Sequence, residues 1–382
     1  MNILLVGNGF DLAHGLPTKY TDFLEFVKVI KALQSREDLD DFMEIKAFID
    51  EYYFLNAYIT ADVCECFKDR WGTKTEKINE LQTLIDDNFW LEYFLECPIY
   101  QKENWIDFES EISKIIRSID DDVNGGDFSG QILKLTNEYL GDYYLHRGIK
   151  KNRFGEWEGI CNITYQELRD VLLRDLNRLI RILEIYLYSF VEGIPCNGIL
   201  PDIQDVCFDK VLSFNYTDTY RRKYDKQKWA EYDFIHGKID AAHTVVSNNM
   251  VLGIDEYLPD ERKNTDVEFI AFKKYYQRIY KETGCHYKKW IEAIEAETSI
   301  DHFKQHSLYI FGHSLDVTDK DVLRDLILHN NINTKIFYFN KNDFGTKIAN
   351  LVKIIGQDEL IRRTGGSTKT IWFKQQQDII KI

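Results

Sequence analysis

Four short segments carry residues whose types and spacing suit nucleotide chemistry. The first is Gly7-Asn8-Gly9-Phe10-Asp11, directly after the apolar run Asn2 to Val6. Glycines at such a point let the backbone bend tightly and approach a pyrophosphate, and the N-terminus of a following helix favours negative charge. A β-branched side chain at Gly9 is therefore expected to block phosphate while leaving the fold intact. The third glycine position of a G-x-G-x-x-G fingerprint is Leu12, and no Gly-Lys-Ser/Thr follows, so neither that fingerprint nor a Walker loop is present. An ordinary tight turn is the bland alternative. Gly15-Leu16-Pro17-Thr18 supplies a second glycine device a few residues on.

The second segment is Ser213-Phe214-Asn215-Tyr216-Thr217-Asp218, at the end of another apolar run. Polar residues there face the cleft of an open α/β sheet, where ligands gather. The Asn215 amide both donates and accepts, which suits a ribose hydroxyl, a carboxamide or a water. Its alternative is an Asx turn that closes the strand. The third segment is Phe234-Ile235-His236-Gly237. A lone histidine is more often structural than catalytic, but this one follows the asparagine element and precedes a glycine. The fourth is Phe311-Gly312-His313-Ser314-Leu315-Asp316, with Asp319 beyond it. Gly312 allows close approach and Ser314 offers a hydroxyl to phosphate or ribose. Asp316 and Asp319 are the two acids of this segment, left open between a site role and capping a helix that starts near Asp321.

Other chemistries find less support. No G-x-S-x-G elbow occurs, and no H-E-x-x-H pattern appears among the 9 histidines. His302 and His306, four apart, suit a metal on a helix, although a solvated pair is the simpler reading. The sequence gives no reason to expect a bound metal. Lys273, Lys274, Gln277 and Arg278 form a basic helix face, expected to lie in solvent, with a place near phosphate as the alternative. The 7 cysteines contain no C-x-x-C pair and are expected to be structural thiols.

These segments need elements to position them. Asn2 to Val6, Val211 to Phe214, Asp233 to Ile235, Met250 to Ile254, Leu308 to Phe311 and Ile336 to Phe339 read as strands. Helical periodicity fills Tyr20 to about Val191 and returns over Val267 to Ile294. Its clearest stretch opens on a capping box, Thr164 with Glu167, and continues as the apolar stripe Leu168, Val171, Leu172, Leu176, Leu179, Leu183 and Leu187. Strands alternating with helices predict an α/β fold with a mostly parallel sheet covered on both faces. The first strand must then join strands far later in the chain. Residues 1–20 and 201–382 form the expected core, and residues 21–200 a mainly helical insertion.

Composition bounds the reading. A chain of 382 residues with 44% hydrophobic residues and 5 prolines has the makings of a real core. No apolar run reaches the roughly 18 residues that a membrane-spanning helix needs, and no signal peptide is apparent, so the cytoplasm is the expected location. Between Arg36 and Asp127, 24 acids face 9 bases, which accounts for the whole net charge of −15. Such a block repels phosphate backbones, so nucleic acid is an unlikely partner. A solvated surface explains the block, and contact with a partner protein or a second subunit is the sharper expectation.

The order of the motifs carries a resemblance. The opening VGNGFDLAHGLPTKYTDFL resembles the G-A-G-x-S…G-L-P-T start of sirtuin-like domains and, more closely, the N-G-F-D…H-G-L-P-T start of the AbiH family. Asn8 and Asp11 follow the latter pattern. SFNYTD resembles the T-N-Y-D strand end of defence-associated sirtuin-like NADases, and GHSLD matches the AbiH element and resembles the G-Y-S-x-x-D that contacts adenosine in sirtuin-like proteins. The resemblance implies a Rossmann-like core that binds NAD, with Gly7, Asn8, Gly9, Phe10, Asp11, Gly15, Thr18, Asp218, Gly312, Ser314 and Asp316 around the cofactor. It further implies anti-phage abortive infection by hydrolysis of NAD at the nicotinamide–ribose bond, with Asn215 positioning ribose and water and His236 as general base. A nucleotide-sensing module without turnover is the alternative.

Overall fold

The computed structural model describes residues 1–36, 42–52, 54–68, 73–103, 106–125, 150–151, 157–158, 165–196 and 198–380. Six strands, β1 (Asn2–Val6), β4 (Lys210–Ser213), β5 (Glu231–Phe234), β6 (His306–Phe311), β7 (Ile332–Tyr338) and β8 (Ile371–Gln375), form one open sheet in the order β5-β4-β1-β6-β7-β8. Every pairing in it is parallel. A separate antiparallel ribbon pairs β2 (Lys150–Lys151) with β3 (Trp157–Glu158). The chain runs outward from β1 to β5, crosses back to β6, and runs outward again to β8. Loops leaving β1 and β6 therefore diverge, and a crevice opens at the carboxyl ends of the strands.

Both faces of the sheet are buried, which is why β1 reads as a continuous apolar run. Ile3 and Leu5 point into one cluster with Trp290, Leu323, Leu326 and Ile354 from helices Tyr287–Ile300, Lys320–Ile327 and Lys341–Ile355. Leu4 and Val6 point into the other, with Phe10, Ile203, Tyr220 and Phe311. A third cluster holds the helical segment together. There Tyr20–Gln34, Thr73–Ile85, Phe89–Glu96, Phe108–Gly125 and Tyr165–Ile185 pack with Met250, Leu252, Phe269 and Phe272. In the apolar stripe Leu168, Leu172, Leu176, Leu179, Leu183 and Leu187 are buried and Val171 is half-buried. Thr164 lies outside the described residues. Asp120 of the acidic block is buried and paired with Arg262 at 3.0 Å, so part of that block faces inward. Among the described residues no helix is long and apolar enough to cross a membrane.

Two expectations need correction. Met250 to Ile254 is buried but joins no sheet. Leu252 N–H donates to Gln277 Oε1 at 3.0 Å and Leu252 C=O accepts from Gln277 Nε2 at 3.1 Å, so one side-chain amide stands in for a neighbouring strand. The second helical stretch breaks into a short 3₁₀ turn at Ile270–Phe272 and the helices Lys274–Tyr280 and Tyr287–Ile300. Sequence reading also stopped short of β8, an edge strand.

The turns after β1 and β6 meet backbone to backbone. Gly7 N–H donates to Phe311 O at 3.1 Å and Gly9 N–H to Gly312 O at 2.8 Å. A Cβ on Gly9 would lie 2.8 Å from both Gly312 Cα and Gly312 O. Gly312 has φ +70°, and a Cβ there would run into Phe10 N. Substitution at Gly9 is thus a packing change, contrary to the expectation that it would block only a phosphate. Gly312→Ala is expected to lower the free energy of unfolding by about 2–4 kcal/mol in denaturant titration. An unchanged midpoint would show that the two turns can separate at no cost.

Candidate functional site

A cavity of about 150 Å³ lies at the carboxyl ends of β1, β4 and β5. Asn8, Asp11, Thr18, Asn215 and His236 line it, so five residues expected to form a site from separated motifs meet in one place. The helical segment closes the other side with Glu109, Leu183, Tyr186 and Leu187. Tyr186 and Leu187 sit in a π-helical turn, Tyr186–Val191, and the Tyr186 hydroxyl donates to Pro17 O at 2.9 Å. That bond ties the helical segment to the loop after β1.

Asp11 and Asn215 form the floor. Asp11 is 1% exposed; its Oδ2 accepts from Thr217 Oγ1, while its Oδ1 is buried with no hydrogen-bond partner. Burial pushes its carboxyl up to about 6, against the hydrogen bond from Thr217 and the charge of Arg222. Asn215 Nδ2 donates to Gly7 O at 3.1 Å, which locks the β4 strand end to the β1 turn. At the exposed rim, Thr18 Oγ1 donates to Asn8 Oδ1 and Asn8 Nδ2 donates to Thr18 O at 3.1 Å.

Behind His236 stands a buried charge cluster centred on Asp319. Its Oδ1 lies 3.2 Å from His236 Nε2 and 3.3 Å from Lys274 Nζ, and its Oδ2 lies 3.3 Å from His313 Nε2. Leu315 N–H donates to His313 Nδ1 at 2.9 Å, which leaves the neutral ring's proton on Nε2, aimed at Asp319. Burial alone would raise the Asp319 carboxyl. Lys274, with His236 and His313, outweighs it and holds the group well below the carboxylate range. Burial, with Lys274 nearby, lowers His236, so its imidazole is neutral at pH 7 despite the opposing pull of Asp319. Lys274 Nζ also pairs with Glu109 Oε2 at 2.7 Å, and burial pushes the Glu109 carboxyl up to about 7. Gly237, at φ +75°, turns the chain after His236, because a Cβ would meet the backbone of Asn249.

The other expected residues lie around this centre. Phe10 is fully buried against Tyr220, Tyr224 and Phe311, beneath the loop. Gly15 forms the turn before Thr18 with φ +78°. Asp218 lies 3.1 Å from Arg222 Nε and lines a smaller space beside Asp11. Ser314 is exposed, and Asp316 caps the 3₁₀ turn Val317–Asp319 through Thr318 N–H at 3.0 Å. Of the two acids left open by the sequence, Asp319 is the one that faces His236. The basic face expected in solvent is buried. Lys273, Lys274, Gln277 and Arg278 are 1%, 4%, 5% and 9% exposed, and the lysines and arginine pair with Glu256, Asp319 and Asp321. His306 lies buried on β6 beside the N-terminal amine, away from any helix shared with His302. Among the described residues no group of three or more His, Cys, Asp or Glu side chains is arranged to hold a metal ion.

Two outcomes follow from these charges. The folded state binds the Asp11 proton more tightly than the unfolded chain, whose carboxyl has its ordinary value of 3.8. Stability is therefore expected to fall by about 3 kcal/mol as pH rises from ~4 to ~6. Asp11→Asn should remove most of that slope in denaturation measured across the range. Lys274→Met leaves Asp319 buried without its cation and is expected to cost about 3–5 kcal/mol. Adding Asp319→Asn should recover much of the loss, and a strictly additive double mutant would show that the two groups are not coupled.

A sequence profile of the family described as Bacteriophage abortive infection AbiH matches residues 3–340. The match runs from β1 through β7 and takes in the helical segment that supplies Glu109. No curated protein and no solved structure matches the chain. With the family's opening and its G-H-S-L-D element meeting at adjacent strand ends, and the profile spanning nearly the whole sequence, the chain belongs to the AbiH family and acts in phage abortive infection.

Proposed function

We propose that the cavity is a nucleotide site on a Rossmann-like, sirtuin-like core, and that it hydrolyses NAD at the nicotinamide–ribose bond. The observation that carries this reading is the convergence of Asp11, Asn215 and His236, from three strand ends, on one cavity with Asp319 behind the histidine. The sheet order β5-β4-β1-β6-β7-β8 is the order 3-2-1-4-5-6 of dinucleotide-binding sheets when its strands are renumbered along the chain. A cavity of about 150 Å³ has the size of engineered cavities that take up benzene, so it accepts one ring and leaves the rest of a dinucleotide outside.

The chemistry asks for orientation and a base. As the C1′–N bond breaks, its electron pair neutralises the departing nicotinamide, and the ribose gains oxocarbenium character. Water then bonds to C1′ and gives up a proton. His236, neutral and with Nε2 turned to Asp319, would accept that proton, and Asp319 would stabilise the resulting imidazolium. Asn215, its amide nitrogen held by Gly7 O, would present its oxygen to a ribose hydroxyl or the water. Asp11 would face the developing positive charge. Gly7 and Gly9 have spent their N–H groups on the β6 turn, so the phosphates would lie at the rim, near Asn8, Thr18 and Lys19.

Nicotinamide release from NAD by the purified protein tests the reading. His236→Ala is expected to lose ~10²–10⁴-fold in rate with a much smaller loss of affinity. Asn215→Ala should behave similarly, and the pair should lose far less than the product of the singles. If the folded wild type binds NAD but releases no nicotinamide over hours, the cavity is a sensor and hydrolysis is ruled out.

A further inference from the structure

The lining of the cavity is acidic beyond what its cations balance. Asp11 and Glu109 both face it, while the one lysine in its lining, Lys19, is exposed at the rim. Lys274 lies behind Glu109 but is shared with Asp319, so one buried cation serves two carboxylates. Excess buried negative charge is costly, and a bound cation would relieve it. Burial raises the proton affinities of both Asp11 and Glu109, and for Glu109 the nearby carboxylates of Asp319 and Asp107 add to it.

The aromatic residues narrow the shape of that cation. Phe94 stacks on Phe108 with ring centroids 4.1 Å apart, and Phe108 stacks on Tyr20, also at 4.1 Å. Tyr20 ends this run of rings and lines the cavity with Phe214, Tyr216 and Tyr186. Glu109 follows Phe108 in sequence, so the stack and the carboxylate arrive on the same helix turn. Aromatic faces beside carboxylates attract a flat cation, and a space of one-ring size rejects a larger one.

We infer that Glu109 is a specificity-determining residue of this cavity, selecting a planar cationic ring over a neutral ring of the same shape. Resting on the dinucleotide reading, the inference names the pyridinium of oxidised NAD as the buried group and disfavours the reduced, neutral form. Selection then comes from the helical segment, outside the strand ends that carry His236 and Asn215.

The test needs no turnover. Calorimetry on the full chain compares the 1-methylnicotinamide cation with neutral nicotinamide, and NAD with NADH. Wild type is expected to favour each cationic partner by about tenfold, in line with a partly desolvated cation beside rings and a carboxylate. Glu109→Gln, which keeps shape and a hydrogen bond, should bind neutral nicotinamide as before and lose the preference. Glu109→Asp should restore part of it. Equal affinity of wild type for the two small rings, or no binding of either, overturns the inference, as does a preference that survives Glu109→Gln. A small-ring preference without NAD binding upholds the inference and removes the dinucleotide reading. NAD and NADH bound alike, with no small-ring preference, do the reverse.

Discussion

A carboxylate buried to 7% exposure in the 3₁₀ turn beyond a parallel strand needs a reason to stay ionised, and Asp319 has three. His236 comes from the turn after β5, His313 from the turn after β6, and Lys274 from the helix that follows the Met250–Ile254 segment. Each partner comes from a different part of the chain, so the cluster can form only when sheet, crossover and loops are all in place. Its surroundings also set the local chemistry: burial, and after it the cation that stabilises Asp319, depresses the basicity of the histidine 3.2 Å from that carboxylate. The histidine is thereby kept neutral beside an ionised carboxylate.

The rest of the architecture serves that meeting point. Parallel strands place their carboxyl ends side by side, and the order reverses between β1 and β6, where the two glycine turns pack together. Asn215 then bonds to the Gly7 carbonyl and Gly237 turns the chain just past His236, so three strand ends are fixed relative to one another by backbone contacts. The helical segment is fixed to the same frame by the Tyr186–Pro17 and Glu109–Lys274 bonds. A side wall attached through a few polar contacts can be specific for a ligand without reshaping the sheet.

How much of this was legible in the sequence depends on where each signal comes from. β1, β4 and β6 announce themselves as short apolar runs ended by Gly or Asn, because a strand buried on both faces has no polar alternation to offer, whereas β5, the edge strand Glu231–Phe234, is marked chiefly by the His236-Gly237 pair that follows it. The same logic misreads Met250 to Ile254, an apolar run whose hydrogen bonds go to the Gln277 side chain and to loops. β8 escapes because Ile371-Trp372-Phe373-Lys374-Gln375 lies at an edge and is only half apolar. The glycines stand out in the sequence, but the packing that requires Gly9 does not: the space beside it belongs to Gly312. Glu109 and Lys274 carry no local mark at all. One is an acid among 24 in its block and the other a lysine in what reads as a solvated face, and only tertiary partners reveal that Lys274 is buried and Glu109 half-buried. Two lysines set among Phe272, Tyr275 and Tyr276 were the available hint.

Stability alone does not account for the cluster. Desolvating several ionised groups costs several kcal/mol each, and well-packed apolar residues of similar volume would commonly serve the fold as well or better. Two apolar clusters on the faces of the sheet and a third in the helical segment already supply the cohesion that the fold needs. Yet the chain places Asp319, Lys274, Glu109 and Asp11 around one small cavity, leaves an oxygen of Asp11 without a partner, and lets two carboxyls rise to about 6 and about 7. Groups so poised give up or take a proton near neutral pH and respond to any charge that enters beside them. The fold bears this cost at the carboxyl ends of its strands, the place where parallel sheets commonly hold their ligands.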